Sequence, residues 1–264
     1  TRTSPWSSPR VPAAAVRPRD PRHPAGYGRD AYVWSLFAAF GLFAVGAGVS
    51  ITHGIQELVN PEPSSDFVVA YIVLAVSFVL EAISFRQAFG QLRAEASHYD
   101  RTVLEHALRT SDPTTRAVFA EDAAALVGLL IAFTGVLLHQ VTGSPIPDAI
   151  GSIAVGILLG VVSLVLIDRN RRFIVGEQAS PILRAAVLDT LLELPEVARV
   201  TFVRTEYLGP RRLYVVAKVD LEGDYAESRV AETLRVIERQ LETDEHIVRA
   251  ILGLSTADQP SITP

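Results

Sequence analysis

Ala117–His139 reads AVFAEDAAALVGLLIAFTGVLLH, a stretch long enough to cross a bilayer that carries two acids, Glu121 and Asp122, about one turn inside its start. Sixteen residues without a formal charge follow Asp122. A carboxylate in hydrocarbon costs several kcal/mol unless it is paired, hydrated or metal-bound, so an acid at that depth points to function. Asp and Glu are also too short to reach the interface as Lys and Arg do.

Three further stretches have the roughly 20 apolar residues that about 30 Å of hydrocarbon requires. They are Ala31–Thr52, which is free of charge, Phe67–Phe85, with Glu81 near its end, and Ile146–Ile167, with Asp148 at its start. The connections His53–Asp66 and Gln140–Pro145 contain no Lys or Arg. The other flanks are basic: Arg17, Arg19, Arg22 and Arg29 before the first span, Arg86, Arg93, Arg101, Arg109 and Arg116 between the second and third, and Arg169, Arg171 and Arg172 after the fourth. The positive-inside rule then puts both chain ends in the cytoplasm, in the plasma membrane as the expected setting.

That topology gives the acids a depth. Glu81 lies five residues before Arg86 and Glu121 five after Arg116, so each sits roughly 7–9 Å inside the cytoplasmic boundary, with Asp122 slightly deeper. Three carboxylates on adjacent helices can line one cation-attracting vestibule. Glu121 and Asp122 are about 100° apart on a helix and cannot face the same ion. Hard carboxylate oxygens suit divalent cations, with the remaining ligands supplied by another helix. The competing reading is that Glu121 and Glu81 merely offset helix dipoles beside arginines. Asp148, just after Pro147, also fits a helix-start acid.

The histidines add little. His53 and His139 are expected at the outer interface, His98 and His106 in a polar cytoplasmic loop, and His246 in a solvated turn. The Ala44–Gly48 spacing is a small-xxx-small pattern that would bring two helices close and hints at a dimer.

Composition agrees with a membrane segment followed by a small soluble one. The 264 residues are 49% hydrophobic and 20% charged, with apolar content concentrated before residue 168. A net charge of −5 argues against nucleic acid as the main partner. Cysteine is absent, which excludes a disulfide framework, a zinc–thiolate site and a thiol nucleophile. Residues 1–25, rich in Pro, Arg, Ser and Ala, read as a disordered lead-in. Thr1 begins a chain without methionine, which fits a sequence whose beginning is missing.

After Ile167 the pattern changes. Ser180 and Pro181 open a helix running to about Leu194. Val197–Tyr207 has strand composition, Gly209-Pro210 is a turn, and Leu213, Val215, Ala217, Val219 and Leu221 alternate onto one face. Asp224–Glu242 is amphipathic, with Val230, Leu234, Ile237 and Leu241 at helical spacing, and Ile247–Leu254 supplies a third strand. The fold class expected is therefore an all-α transmembrane bundle with four helices present (26–175), followed by a small α+β, ferredoxin-like cytoplasmic domain of αββαβ order (180–255) and a tail (256–264). A domain so small, with no nucleophile–base pair or His-rich cluster at one depth, points away from an enzyme and towards regulation or dimerisation.

HPAGYGRDAYVW (His23–Trp34), DPTTRAVFAEDAAALVGLLIA (Asp112–Ala132), TGSPIPDAIGSIAVGILLG (Thr142–Gly160), FIVGEQAS (Phe173–Ser180) and the αββαβ tail together resemble the cation diffusion facilitator family, in its zinc transporter 9-like branch. The likeness covers residues 21–255 and rests on the ordered set of motifs. It implies a homodimer with six transmembrane helices and a cytoplasmic C-terminal domain, exporting Zn2+ or a similar divalent cation in exchange for protons. No permanently bound cofactor is implied. The four spans then correspond to helices three to six, with the first two absent from this chain. Asp122 matches the second of two metal ligands that the family takes from helix five. The first, usually histidine, is here Val118, which leaves Glu121 as the candidate substitute and at most half a site. Glu81 and Asp148 are candidates for a vestibule or proton coupling. The alternatives are a non-transporting dimeric membrane scaffold that binds a partner through its tail, or a passive pore.

Overall fold

Helix punctuation in the sequence sets the element boundaries. In a computed structural model, residues 20, 21, 23, 26–61, 67–98 and 101–262 are described. The lead-in, with Arg17, Arg19 and Arg22, lies almost wholly outside the described residues. In chain order the elements are α1 (Asp30–Ala39), a π-helical stretch (Phe40–Ala44), α2 (Val45–Val59), α3 (Phe67–His98), α4 (Val103–Arg109), α5 (Pro113–Thr142) and α6 (Ile146–Val175). Then come α7 (Pro181–Leu192), β1 (Val197–Gly209), β2 (Arg212–Leu221), α8 (Glu227–Leu241) and β3 (Ile247–Leu254). Two compact units result, one of residues 33–171 and one of residues 1–32 with 172–264.

In the first unit, α3, α5 and α6 are long and apolar enough to cross a membrane. The opening stretch sits in α5, which starts earlier than its apolar run. Asp112 caps it by accepting from the Thr114 and Thr115 amides at 3.0 and 3.3 Å, Pro113 takes the first helical position, and Gly143 (φ 69°) ends it in the left-handed region. On α3, Val68, Ile72, Val73, Val76, Val79 and Leu80 all remain more than half exposed, as lipid-facing side chains should.

The expected first span is helical but interrupted: the π-helical stretch divides it into α1 and α2, neither of which is long enough alone. The Ser163 hydroxyl donates to the Ala39 carbonyl at 3.3 Å, on the threshold of that stretch. Within the chain, Ala47 and Gly54 make close contacts. A Cβ at Gly156 would stand 2.9 Å from the Ala47 carbonyl oxygen, and one at Gly54 would stand 2.6 Å from that of Ala149, whereas Gly48 meets nothing within 4 Å. Small residues thus let α2 and α6 touch backbone to backbone.

The polar loop expected between the second and third spans is a correction. α3 continues to His98, and α4 follows with Thr102 as its cap. His106 is buried on α4, its Nε2 3.1 Å from Glu95 Oε2 on α3. Arg116, expected on a basic flank, is buried. It donates to the Thr110 carbonyl at 3.1 Å and to the Asn170 side-chain oxygen, while the Asn170 amide donates to the Ser35 hydroxyl at 3.0 Å. These bonds tie α1, α5 and α6 together around one buried cation.

The second unit follows its sequence pattern closely. Ser180 caps α7 by accepting from the Leu183 amide, with Pro181 at the first helical position. β1 and β2 are antiparallel, β2 and β3 parallel, in the order β1-β2-β3. Leu213, Val215, Ala217, Val219 and Leu221 are all buried, as their alternation predicts. Val215, Ala217 and Val219 share one core with Val187 and Leu191 of α7 and with Ile237 and Leu241 of α8, so both helices cover one sheet face. The segment after β3 returns along β1, where the Ile262 amide donates to the Val200 carbonyl. The stretch 26–32 also packs here. A Cβ at Gly28 would lie 2.4 Å from the Leu208 carbonyl oxygen, and Tyr32 stacks on Phe173 at 5.0 Å.

The buried Arg116 network yields a stability prediction. Asn170→Leu removes a neutral partner from a desolvated guanidinium, a loss of about 2–3 kcal/mol. The melting temperature of the detergent-solubilised protein is expected to fall by roughly 5–10 °C. An unchanged melting temperature would mean that Arg116 is hydrated rather than held by Asn170.

Candidate functional site

Asp122 sits on α5 with two reasons to be noticed: it is acidic, and it is only 6% exposed. Its neighbours on the helix explain the burial. Ala124 and Gly128 are buried on the same helix, and their small side chains leave room for packed neighbours. Across from Asp122 runs α3, antiparallel to α5. Phe85 of α3 stacks on Phe119 at 5.4 Å, Tyr71 packs on Phe133 and donates to Gln140 at 2.7 Å, and Phe67 meets His139 edge-on. This ladder fixes the register of the two helices and puts Ser84 opposite Asp122, where the Ser84 hydroxyl donates to Asp122 Oδ2 at 2.7 Å.

Glu121, one residue earlier, is exposed and faces away from Asp122, as the 100° step requires. Val118 is also exposed. Glu81 is half-buried on α3, three residues before Ser84 and hence on the same helical face. Among the described residues, Asp122, Glu121 and Glu81 do not draw together into a three-ligand cluster. This region therefore offers Asp122 with its Ser84 partner, and Glu81 one turn along α3. The apolar groove between α4, α5 and α6, lined by Leu104, Phe119, Ala123, Leu158 and Val162 among others, offers no oxygen donors for a cation.

Asp148 belongs elsewhere. It starts α6 at the other end of the bundle, with His139 of α5 and Glu57 of α2. His139 is 17 residues beyond Asp122 on α5, about 25 Å along the helix. His139, in the last turn of α5, is 4% exposed within the chain. Sequence reading passes over Glu57 and Ser84. Ser84 had a signal, its i+3 spacing from Glu81, but a serine in an apolar helix most often bonds only its own backbone.

Similarity to known proteins agrees with this picture. Residues 13–175 match the cation efflux transmembrane domain. The chain is 36% identical over 211 residues to metal tolerance protein C4 of Arabidopsis thaliana, covering 80% of this chain and 46% of that protein. It is 35% identical over 209 residues to the mitochondrial proton-coupled zinc antiporter SLC30A9 of Mus musculus, covering 79% and 37% of the two chains. The Xenopus laevis protein of the same name is 32% identical over 238 residues, covering 88% and 43%. The chain thus spans less than half the length of these relatives. With long apolar helices and this match, it is an integral membrane protein. It belongs to the cation efflux, or cation diffusion facilitator, family, in the SLC30A9-like branch.

Proposed function

We propose that this chain carries the inner metal ligand of a divalent-cation exporter, with Zn2+ as the cargo and protons moving in the opposite direction. The observation that carries the reading is the buried Asp122 carboxylate on a membrane-length helix, held by one hydroxyl from the next helix. A family of cation transporters, with relatives named as proton-coupled zinc antiporters, supports it.

In this reading the cation enters between α3 and α5 from the side where Glu81 lies, and Asp122 ligates it. Ser84 orients the carboxylate, as groups behind a metal ligand commonly do. Further ligands come from a neighbouring helix outside this chain's described residues or from water. Metal and proton compete for the carboxylate oxygens, because a ligand must lose its proton to bind. That competition is a sufficient basis for exchange: protonation on one side releases the metal, and deprotonation on the other recharges the site. Glu121, exposed and turned away, serves as a vestibule charge rather than a ligand.

We assign the first span to 31–52, crossing as a helix with a π-helical interruption, and keep both chain ends cytoplasmic by the distribution of arginine. The transmembrane part is then 26–175 and the cytoplasmic part 180–255, which we read as ferredoxin-like and as the homodimerising element. Nothing in this scheme requires a bound cofactor or an enzymatic step. The plasma membrane remains our expected setting, and fractionation of the tagged protein against mitochondrial and surface markers tests it. The scaffold alternative draws on Val118, an apolar side chain where the resemblance puts histidine.

Zinc flux into proteoliposomes holding the full chain separates these readings. Flux driven by an opposing proton gradient is expected, and Asp122→Asn, isosteric but unable to act as an anionic ligand, is expected to lower it at least tenfold. Equal flux in the two proteins would leave the scaffold or pore reading. Ser84→Ala should weaken apparent zinc affinity roughly tenfold to a hundredfold without abolishing transport. An unaltered affinity would remove Ser84 from the site.

A further inference from the structure

Three helix ends meet far from Asp122, and glycine is what lets them. Gly54 of α2 lies against the backbone of Ala149, the residue after Asp148. Gly135 of α5 lies against Asp148 itself, where a Cβ would stand 3.2 Å from the Asp148 Cα and 3.3 Å from its Oδ1. Glu57 is three residues beyond Gly54, and His139 four beyond Gly135. Each is therefore on the face its glycine brings into contact. Two backbone contacts thus bring side chains from α2, α5 and α6 to one point, with one ligand atom from each of Glu57, His139 and Asp148 within 4.8 Å of the others.

The chemistry at that point is specific. His139 is 4% exposed, and its Nδ1 makes no hydrogen bond. Asp148 Oδ2 is 3.9 Å from that nitrogen, too far for a hydrogen bond. Glu57 Oε2 is likewise buried without a hydrogen-bond partner. Buried polar atoms ordinarily find partners, so two orphaned ones facing the Asp148 carboxylate at this spacing call for a common one. An imidazole and two carboxylates compensate a 2+ charge in full. The connections His53–Asp66 and Gln140–Pro145 bring no Lys or Arg to compete.

We propose that Glu57, His139 and Asp148 form a second divalent-cation site, at the end of the bundle remote from Asp122. One nitrogen and two oxygens are a donor set for zinc or a similar borderline metal, and three protein ligands leave a fourth position for water or a further side chain. Ligand atoms around tetrahedral zinc are about 3.3 Å apart, so binding draws the ends of α2, α5 and α6 together by an ångström or so. His53, one turn before Glu57 with its Nδ1 3.9 Å from Glu57 Oε2, is mostly exposed and placed to supply the fourth ligand. The geometry stands independently of the role given to Asp122.

Zinc binding to the full-length chain in the Asp122→Asn background isolates this site. About one zinc per chain is expected to bind, and Co2+ in its place should give the intense visible bands of a four-coordinate site. Adding His139→Gln should weaken zinc affinity at least thirtyfold and remove those bands. Glu57→Gln should weaken it about tenfold, and decides the matter if His139→Gln does not fold. Failure of the Asp122→Asn protein to bind zinc, or binding that survives the Glu57 and His139 substitutions, would overturn the proposal. Loss of transport with binding intact would instead bear on Asp122.

Discussion

A carboxylate buried in a membrane-length helix must be held by something, and the first unit is arranged around that requirement. Asp122 is followed on α5 by several apolar turns, and what holds it is the Ser84 hydroxyl across the α3–α5 contact. The aromatic ladder from Phe67 to Phe85 on α3 has the same register, so the packing that stabilises the helix pair also aims the hydroxyl. Shifting α3 by one residue along α5 would turn Ser84 away and leave the acid unpaired. Packing and chemistry are one constraint here.

The same economy governs the arginine at the start of α5. Arg116 lies six residues before Asp122 and donates to the Thr110 carbonyl and to the Asn170 side-chain oxygen, on the side of α1 and α6. A guanidinium paired with Asp122 would compete with any cation for the carboxylate. The Asn170 oxygen, on a side chain whose amide donates to the Ser35 hydroxyl, instead draws the buried guanidinium towards α6.

Much of the fold was legible in the residues. Long apolar stretches with few charges marked α3, α5 and α6, Ser180-Pro181 marked the start of α7, and the strict alternation of Leu213–Leu221 marked a half-buried strand. These signals are local, decided by period and by caps. What escaped was decided between segments. Nothing near residue 40 announces a π-helical stretch, because Ser163 on another helix takes the Ala39 carbonyl. Arg116 resembles its neighbours Arg109 and Arg101 until Asn170 arrives opposite it. For the sites, the angle between Glu121 and Asp122 showed that only one faces a given neighbour, but choosing it needed α3. Glu57, His139 and Asp148 lie on three helices, and their convergence depends on Gly54 and Gly135, residues that carry no chemistry of their own.

If a divalent cation is bound by Asp122 inside the bundle, anomalous scattering at the zinc edge from crystals of the zinc-loaded protein locates it. A peak is expected about 2.0–2.2 Å from an Asp122 carboxylate oxygen, on the α3 side of α5, that disappears in Asp122→Asn. Zinc-loaded crystals of a transport-active protein without a peak at Asp122 would contradict it.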